Sequence, residues 1–229
     1  MRRALIVDGS IYADMYGPED QWRRLAKDVP CDSVHLPSGG KVPDLGRYSH
    51  VIVTGSEASI VRPEPWFEAE EEAVRRALDL GLPILGSCFG HQMLARVISG
   101  PEHTRSSPTP ELGWIEVEIT AEDPLFEGLA RSVHVFASHF DEVCDLPLPW
   151  KVLAQSAGCA VQAMRLGDRP VWGIQAHPEI PPREGRALLE GFLARFPAHA
   201  PLISPALAQE PRDDGIAEGI VSRFLAFRG

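Results

Sequence analysis

Cysteine is scarce in this sequence, and Cys31, Cys88, Cys144 and Cys159 form neither a Cys-x-x-Cys pair nor a dense framework. That scatter excludes a disulfide-stapled scaffold and a cysteine zinc cage, and it predicts at least one free thiol. A basic excess is also missing: 22 Lys plus Arg stand against 32 Asp plus Glu, a formal net charge of -10. Nothing here neutralises a phosphate backbone, so nucleic acid is not expected as a direct partner. Long apolar runs are absent as well. The stretch "ALIV" breaks at Asp8, too short for a signal-peptide core, and no run approaches a membrane span, which predicts a cytoplasmic protein with no membrane partner. No glycine-rich phosphate loop, internal repeat or low-complexity tract is found.

What remains is a chain of 229 residues, 44% of them hydrophobic, enough to bury the core of one α/β domain or at most two small ones. Short apolar runs at 2–8, 33–36, 50–55 and 82–87 end in Gly, Pro, Ser or Asp, as buried parallel strands do. Between the last two, "PEPWFEAEEEAVRRALDLG" places Trp66, Phe67, Ala73, Val74, Ala77 and Leu78 at helical spacing, with Pro65 suited to the first turn and Gly81 to the end. The second half changes character. "GWIEVEIT", "SVHVFAS", "WKVLAQS", "AVQAMRL" and "PVWGIQAH" follow one another without long helices, which predicts an antiparallel or mixed extension of the sheet. Helices are expected over about 181–196 and 213–227, the latter capped by Asp213 or Asp214 and carrying the stripe Ile216, Ile220, Phe224 and Phe227. The Pro-rich segment between them reads as a surface connection or a loop.

Within this pattern, Gly86-Ser87-Cys88-Phe89-Gly90 fits a sharp strand-to-helix turn, in which small neighbours let a strained backbone lift one side chain above the sheet edge. Unpaired N–H groups at the start of the following helix favour a thiolate and can stabilise an oxyanion near the backbone N–H of Phe89. A nucleophilic thiol needs a base and a group that orients it. "VWGIQAHPEI" supplies both, with His177 at the end of an apolar run and Glu179 two residues on. Each piece alone has a bland alternative, a buried packing cysteine and a loop-end histidine; together they favour a catalytic pair.

The two motifs, "PILGSCFGHQMLA" and "GIQAHPE" with 89 residues from Cys88 to His177, resemble those of class I (triad) glutamine amidotransferases, especially the free-standing group similar to the amidotransferase domain of GMP synthetase. "VIVTGSEASIV", "ELGWIEV" and "ASHFDEV" extend the resemblance over roughly residues 48–195. It implies that Cys88 attacks the glutamine carboxamide, that His177 protonates the departing ammonia and later activates water, and that Glu179 orients His177. It also implies an oxyanion hole from the backbone of Phe89 and of Gly55 or Ser56. Gln92 and the turn Ser138, His139, Phe140, Asp141 would hold the amino-acid end of the substrate. The implied fold is three-layer α/β, flavodoxin-like, with a central, mostly parallel sheet, helices on both faces and an antiparallel or mixed extension. Residues 1–229 then form one such domain with a helical extension at about 197–229.

The chain departs from the family pattern at Gly55-Ser56-Glu57, where many members carry two glycines and a proline, and at Gly100-Pro101, where the helix commonly ends in two glycines. No synthetase domain or acceptor site accompanies the glutaminase-like unit. Hence either a separate chain accepts the ammonia, or the thiol hydrolyses another γ-glutamyl compound. A non-enzymatic regulator or binding module on the same fold, and a redox-sensing or isomerase-type cysteine protein, are the rivals of other classes. No cofactor or metal is expected, because His134 and His139 lack a third ligand at suitable spacing. His91 is expected to support the turn, Glu68, Glu70, Glu71 and Glu72 to form a solvated helix face, and Cys31, Cys144 and Cys159 to be packing residues.

Overall fold

The computed structural model describes residues 2–227. In chain order the elements are β1 (Ala4–Asp8), α1 (Pro18–Ala26), β2 (Cys31–His35), β3 (His50–Val53), α2 (Phe67–Asp79), β4 (Ile84–Ser87) and α3 (Phe89–Ser99). There follow β5 (Thr104–Ile119), β6 (Ser132–Val143), β7 (Trp150–Gln155), β8 (Ala163–Leu166), β9 (Val171–Ile174), α4 (Pro182–Arg195), α5 (Ala200–Leu207) and α6 (Ala217–Ala226). One sheet of nine strands runs β2-β1-β3-β4-β9-β8-β7-β5-β6. From β2 to β9 the pairs are parallel, and from β9 onward they are antiparallel. The parallel part has the flavodoxin-like order, and the four-strand antiparallel part is the expected extension.

Every residue of β1, β3, β4 and β9 is buried because helices cover both faces of the parallel half. Leu5 and Val7 point to a layer built from Ala73, Val74 and Ala77 of α2 and Met93, Leu94 and Ala95 of α3. Ala4 and Ile6 point to the opposite layer, with Trp22 of α1 and Ile220, Val221 and Phe224 of α6. A third apolar cluster joins α4 and α5 to Trp114 and Phe136 of the antiparallel extension. Among the described residues no helix is long and apolar enough to cross a membrane.

Several local expectations change. Helix α1 has no counterpart in the periodicity, since "PEDQWRRLA" offers too few apolar residues for a stripe, yet Trp22 is fully buried beneath the sheet. Helix α2 starts at Phe67 with Trp66 at its N-cap, so Pro65 lies outside the first turn. Neither Asp213 nor Asp214 caps α6, whose N-cap is Ile216. Asp213 accepts from the Gly215 N–H at 2.9 Å, and Asp214 accepts from the His134 N–H at 2.6 Å. The Pro-rich segment is ordered into α5, with Pro201 in its first turn, where a missing N–H costs nothing.

The expectation of a solvated acidic face on α2 fails at Glu70. Its side chain is 0% exposed, and neither carboxyl oxygen has a hydrogen-bond partner among the described residues. Helical periodicity explains the placement: Glu70 falls on the same face as Phe67, Ala73 and Val74. Burial, with Asp8 and Glu71 nearby, pushes the Glu70 pKa well above its ordinary value of 4.5. Folding therefore takes up a proton at this site. The contribution to stability is full below pH 4.5 and is lost as the pH rises through the raised folded value. Within that window the wild type is expected to lose up to about 1.4 kcal/mol per pH unit from this group. Glu70→Gln should remove that slope in denaturant melts recorded across pH.

Candidate active site

Strand β4 ends at Ser87 and α3 begins at Phe89, so Cys88 alone makes the turn, at φ 48 and ψ -103. That conformation is strained for a residue with a side chain, and the surroundings impose it. The Cys88 N–H donates to the Ile174 carbonyl at 2.8 Å, and the Gly90 N–H donates to the Thr54 carbonyl at 3.0 Å. A Cβ on Gly86 would lie 2.5 Å from the Gly90 carbonyl oxygen, and one on Gly90 would run into the Val53 carbonyl. Both obstacles are backbone, which cannot swing aside. Gly90→Ala is therefore expected to destabilise the protein by about 3 kcal/mol, read from the urea midpoint.

His177 follows β9, and its N–H donates to the Phe136 carbonyl at 2.8 Å, which ties this residue to the antiparallel extension. Its Nδ1 lies 2.8 Å from Glu179 Oε1. The same carboxylate accepts from the Tyr16 hydroxyl at 2.8 Å and from the Ser87 hydroxyl at 3.1 Å. Cys88, His177 and Glu179 are all nearly closed to solvent. Burial pulls the imidazole pKa down, but the Cys88 and Glu179 charges outweigh it and hold the pKa well above its ordinary value. With Nδ1 donating to Glu179, Nε2 is the ring nitrogen that this carboxylate leaves free. The Tyr16 ring meets the imidazole edge-on, centroids 5.6 Å apart, and burial followed by the Glu179 charge pushes its hydroxyl pKa well above the usual value. Tyr16 thus acts as a neutral donor that helps aim the carboxylate.

Gly55 closes the other side. A Cβ there would lie 2.6 Å from His177 Cε1 and 2.9 Å from the Tyr16 hydroxyl, so this position needs glycine for close approach. None of the N–H groups of Gly55, Ser56 and Phe89 donates to a backbone carbonyl among the described residues.

A cavity of about 520 Å³ opens in front of Cys88, with Ser56, Gln92, Ser138, His139 and Phe140 among its walls. The side-chain N–H₂ of Gln92 is used inside the protein, donating to the Asp141 carbonyl at 2.8 Å and to Gln175 Oε1 at 3.1 Å. Gln175 in turn donates to the Cys88 sulfur at 3.6 Å. The segment Ser138 to Asp141 is not a turn, as expected, but the interior of β6, because it pairs with β5 across a register shift between Ser106 and Glu111. The Ser138 carbonyl accepts from the Cys88 thiol at 3.7 Å. The His139 ring is enclosed, 3.1 Å from the Asp141 carbonyl and 3.0 Å from Glu111 Oε2. Phe140 faces His199 across 5.1 Å between ring centroids.

Sequence reasoning missed four further residues of the site. Ser87 and Gln175 lie within the two motifs, beside Cys88 and two residues before His177. Tyr16 and Glu111 carry no such signal. Asp141, expected only as the end of a turn, accepts from the Ser59 hydroxyl at 2.6 Å, the Ile60 N–H at 3.0 Å and the Ser106 hydroxyl at 3.1 Å, which anchors the loop after β3 to β6. His91 is fully buried against Gly173 of β9, and burial lowers its pKa to about 3, so it is no second base. Among the described residues no three His, Cys, Asp or Glu side chains gather as a metal site.

The Glutamine amidotransferase class-I family model matches residues 39–196, a span that contains Cys88, His177 and Glu179. A GMP synthase (glutamine-hydrolyzing) subunit of Methanothermobacter thermautotrophicus is 40% identical over 152 residues, 66% of this chain and 81% of that protein. GMP synthase (glutamine-hydrolyzing) of Aeropyrum pernix is 39% identical over 151 residues, 66% of this chain and 28% of that longer protein. In fold, the chain is similar to a glutamine amidotransferase from Thermotoga maritima, with a TM-score of 0.79 at 24% identity over 98% of this chain and 96% of that one. Since the family model spans more than half of the sequence and the Methanothermobacter protein is matched over most of its own length, the chain belongs to the class I glutamine amidotransferase family.

Proposed function

We propose that this chain hydrolyses the side-chain amide of glutamine to glutamate and ammonia, with Cys88 as nucleophile, His177 as acid and base, and Glu179 as the group that orients His177. One observation carries this reading: His177 Nδ1 is 2.8 Å from Glu179, and Cys88 makes a strained turn whose N–H donates at 2.8 Å to Ile174, the last residue of the strand that leads to His177. The thiolate adds to the amide carbon, and the N–H groups of Phe89 and of Gly55 or Ser56 stabilise the oxyanion. His177 passes its proton to the departing nitrogen, then takes one from the water that cleaves the thioester. Tyr16 and Ser87 hold Glu179 in place, so the imidazole keeps one tautomer. Gln92, Ser138, His139 and Phe140 form the wall beside the amino-acid end of glutamine.

Residues 1–229 act as one catalytic unit in this scheme, and 197–229 extend past the matched family segment. The GMP synthase relatives support a separate synthetase chain as acceptor of the ammonia, since the first is named as a subunit, whereas the second is a much longer chain that this one matches over only 28%. Incubation of the purified chain with glutamine tests the scheme. Equal release of glutamate and ammonia, abolished by alkylation of Cys88, is the expected result. Glutamate release that survives alkylation mapped to Cys88 would refute it.

A further inference from the structure

The cavity before Cys88 has two unlike halves. One is polar, with Ser59, Arg62, Ser106, Ser107 and Asp141. The other is a continuous wall of rings: Phe192, Phe196, Tyr12, His199 and Phe140. Phe196 sits at its centre, with ring centroids 5.8 Å from Phe192, 5.9 Å from Tyr12 and 6.3 Å from His199, and His199 reaches Phe140 at 5.1 Å. The Arg195 guanidinium lies over Tyr12 at 4.4 Å and pairs with Asp14 at 2.9 Å, which fixes the N-terminal loop to the end of α4. Tyr12 and His199 both fall outside the segment matched by the family model. The ring wall is therefore completed by parts of the chain that the matched segment does not contain.

The side on which this wall stands decides what it can touch. A smaller hollow beside the imidazole is lined by His177, Tyr16, Ser56, Glu57, Ser138 and Phe192. Phe192 borders both spaces together with Ser56, Glu57 and Ser138, so one end of the ring wall reaches the hollow beside the imidazole. With the charged end of a glutamyl group at the polar half, beside Gln92 and Arg62, the ring cluster of Tyr12, Phe192, Phe196 and His199 is the part of the cavity left for a substituent on the amide nitrogen. Cavities of about 300–1,000 Å³ take ligands of drug size, and at about 520 Å³ this one exceeds the needs of a single amino acid. Flat apolar groups are what a ring wall binds best.

Resting on the thioester chemistry proposed above, the geometry points to a second substrate class: γ-glutamyl amides whose nitrogen carries an aromatic or other flat apolar substituent, held by Tyr12, Phe192, Phe196 and His199. The chemistry balances as for glutamine. The C–S bond forms and the C–N bond breaks, the amine R–NH₂ leaves with the proton from His177, and water cleaves the thioester to glutamate and free thiol.

The test compares γ-glutamyl benzylamide, γ-glutamyl methylamide and glutamine as substrates of the full chain, read as glutamate release. Benzylamide should exceed methylamide in kcat/KM by about tenfold, the size of a ring-stacking contribution. Phe196→Ala should lower the benzylamide-to-methylamide ratio by about the same factor. His199→Ala, at an exposed position, should lower it in the same direction without a folding penalty. Glutamine turnover without benzylamide turnover, or a ratio unmoved by both substitutions, overturns the ring subsite and leaves the glutaminase reading intact. Failure of all three substrates overturns the glutaminase reading and this inference with it.

Discussion

Cys88→Ala is expected to lower glutamate release from glutamine by on the order of 10⁶-fold, the loss seen when a covalent nucleophile is removed from an otherwise intact site. The reason is local. No other cysteine approaches His177: Cys31, Cys144 and Cys159 are buried elsewhere, and burial raises the pKa of each, that of Cys159 to about 12. The fold should survive, because the turn is enforced by the backbone bonds of Cys88 and Gly90 and by the glycines at 86 and 90 rather than by the sulfur. A companion substitution separates strain from chemistry. At φ 48 a glycine adopts the turn without steric cost, so Cys88→Gly should be about 1 kcal/mol more stable than Cys88→Ala while equally inactive. Denaturant melts of the two variants, beside their glutamate release, check both halves. Activity retained in Cys88→Ala would remove the covalent mechanism altogether.

Glu179→Gln is the second large effect, with kcat/KM for glutamine expected to fall by about 10²–10⁴-fold. Glutamine at this position keeps the shape and loses the charge. His177 is buried, which by itself lowers its pKa; the Cys88 and Glu179 charges reverse that and raise it. For a histidine raised in the folded state, the stabilising contribution is full below its ordinary pKa of 6.5 and is lost as pH rises through the folded value. Removing the Glu179 charge takes away one of the two supports. The alkaline limb of kcat/KM, where His177 loses the proton it must give the leaving nitrogen, should therefore move to lower pH. A full pH–rate profile distinguishes this from a mere loss of packing, which would lower the curve without shifting it. Tyr16→Phe should act in the same direction but more weakly, since it removes one neutral hydrogen bond of 2.8 Å and leaves the carboxylate charged.

The contact between the site and the antiparallel extension follows from topology. Strand β9 pairs with β4 on one side and β8 on the other, so Cys88 and His177 emerge from neighbouring parallel strands at the same end of the sheet. That is where open α/β sheets place their ligands. The antiparallel strands then supply Phe136, which fixes the His177 backbone, and Ser138, whose carbonyl meets the thiol.

Much of the architecture was legible in the sequence. Buried parallel strands read as unbroken apolar runs, so β1, β3 and β4 stand out from composition alone, and Cys88, His177 and Glu179 emerge as candidates because glycine spacing and a His-Pro-Glu step are properties of adjacent residues. The tertiary structure decided the rest. Tyr16 reaches Glu179 across 163 residues of sequence, Asp141 holds the loop at Ser59 across 82, and Tyr12 meets Phe196 only after the chain has wound through the whole sheet. Glu70 sits in an acidic run that any surface pattern would claim, and helical rotation turns it inward, where its carboxyl oxygens find no hydrogen-bond partner among the described residues. Local chemistry determines which side chains can react; which distant groups surround them depends on packing, and no short window of sequence records that.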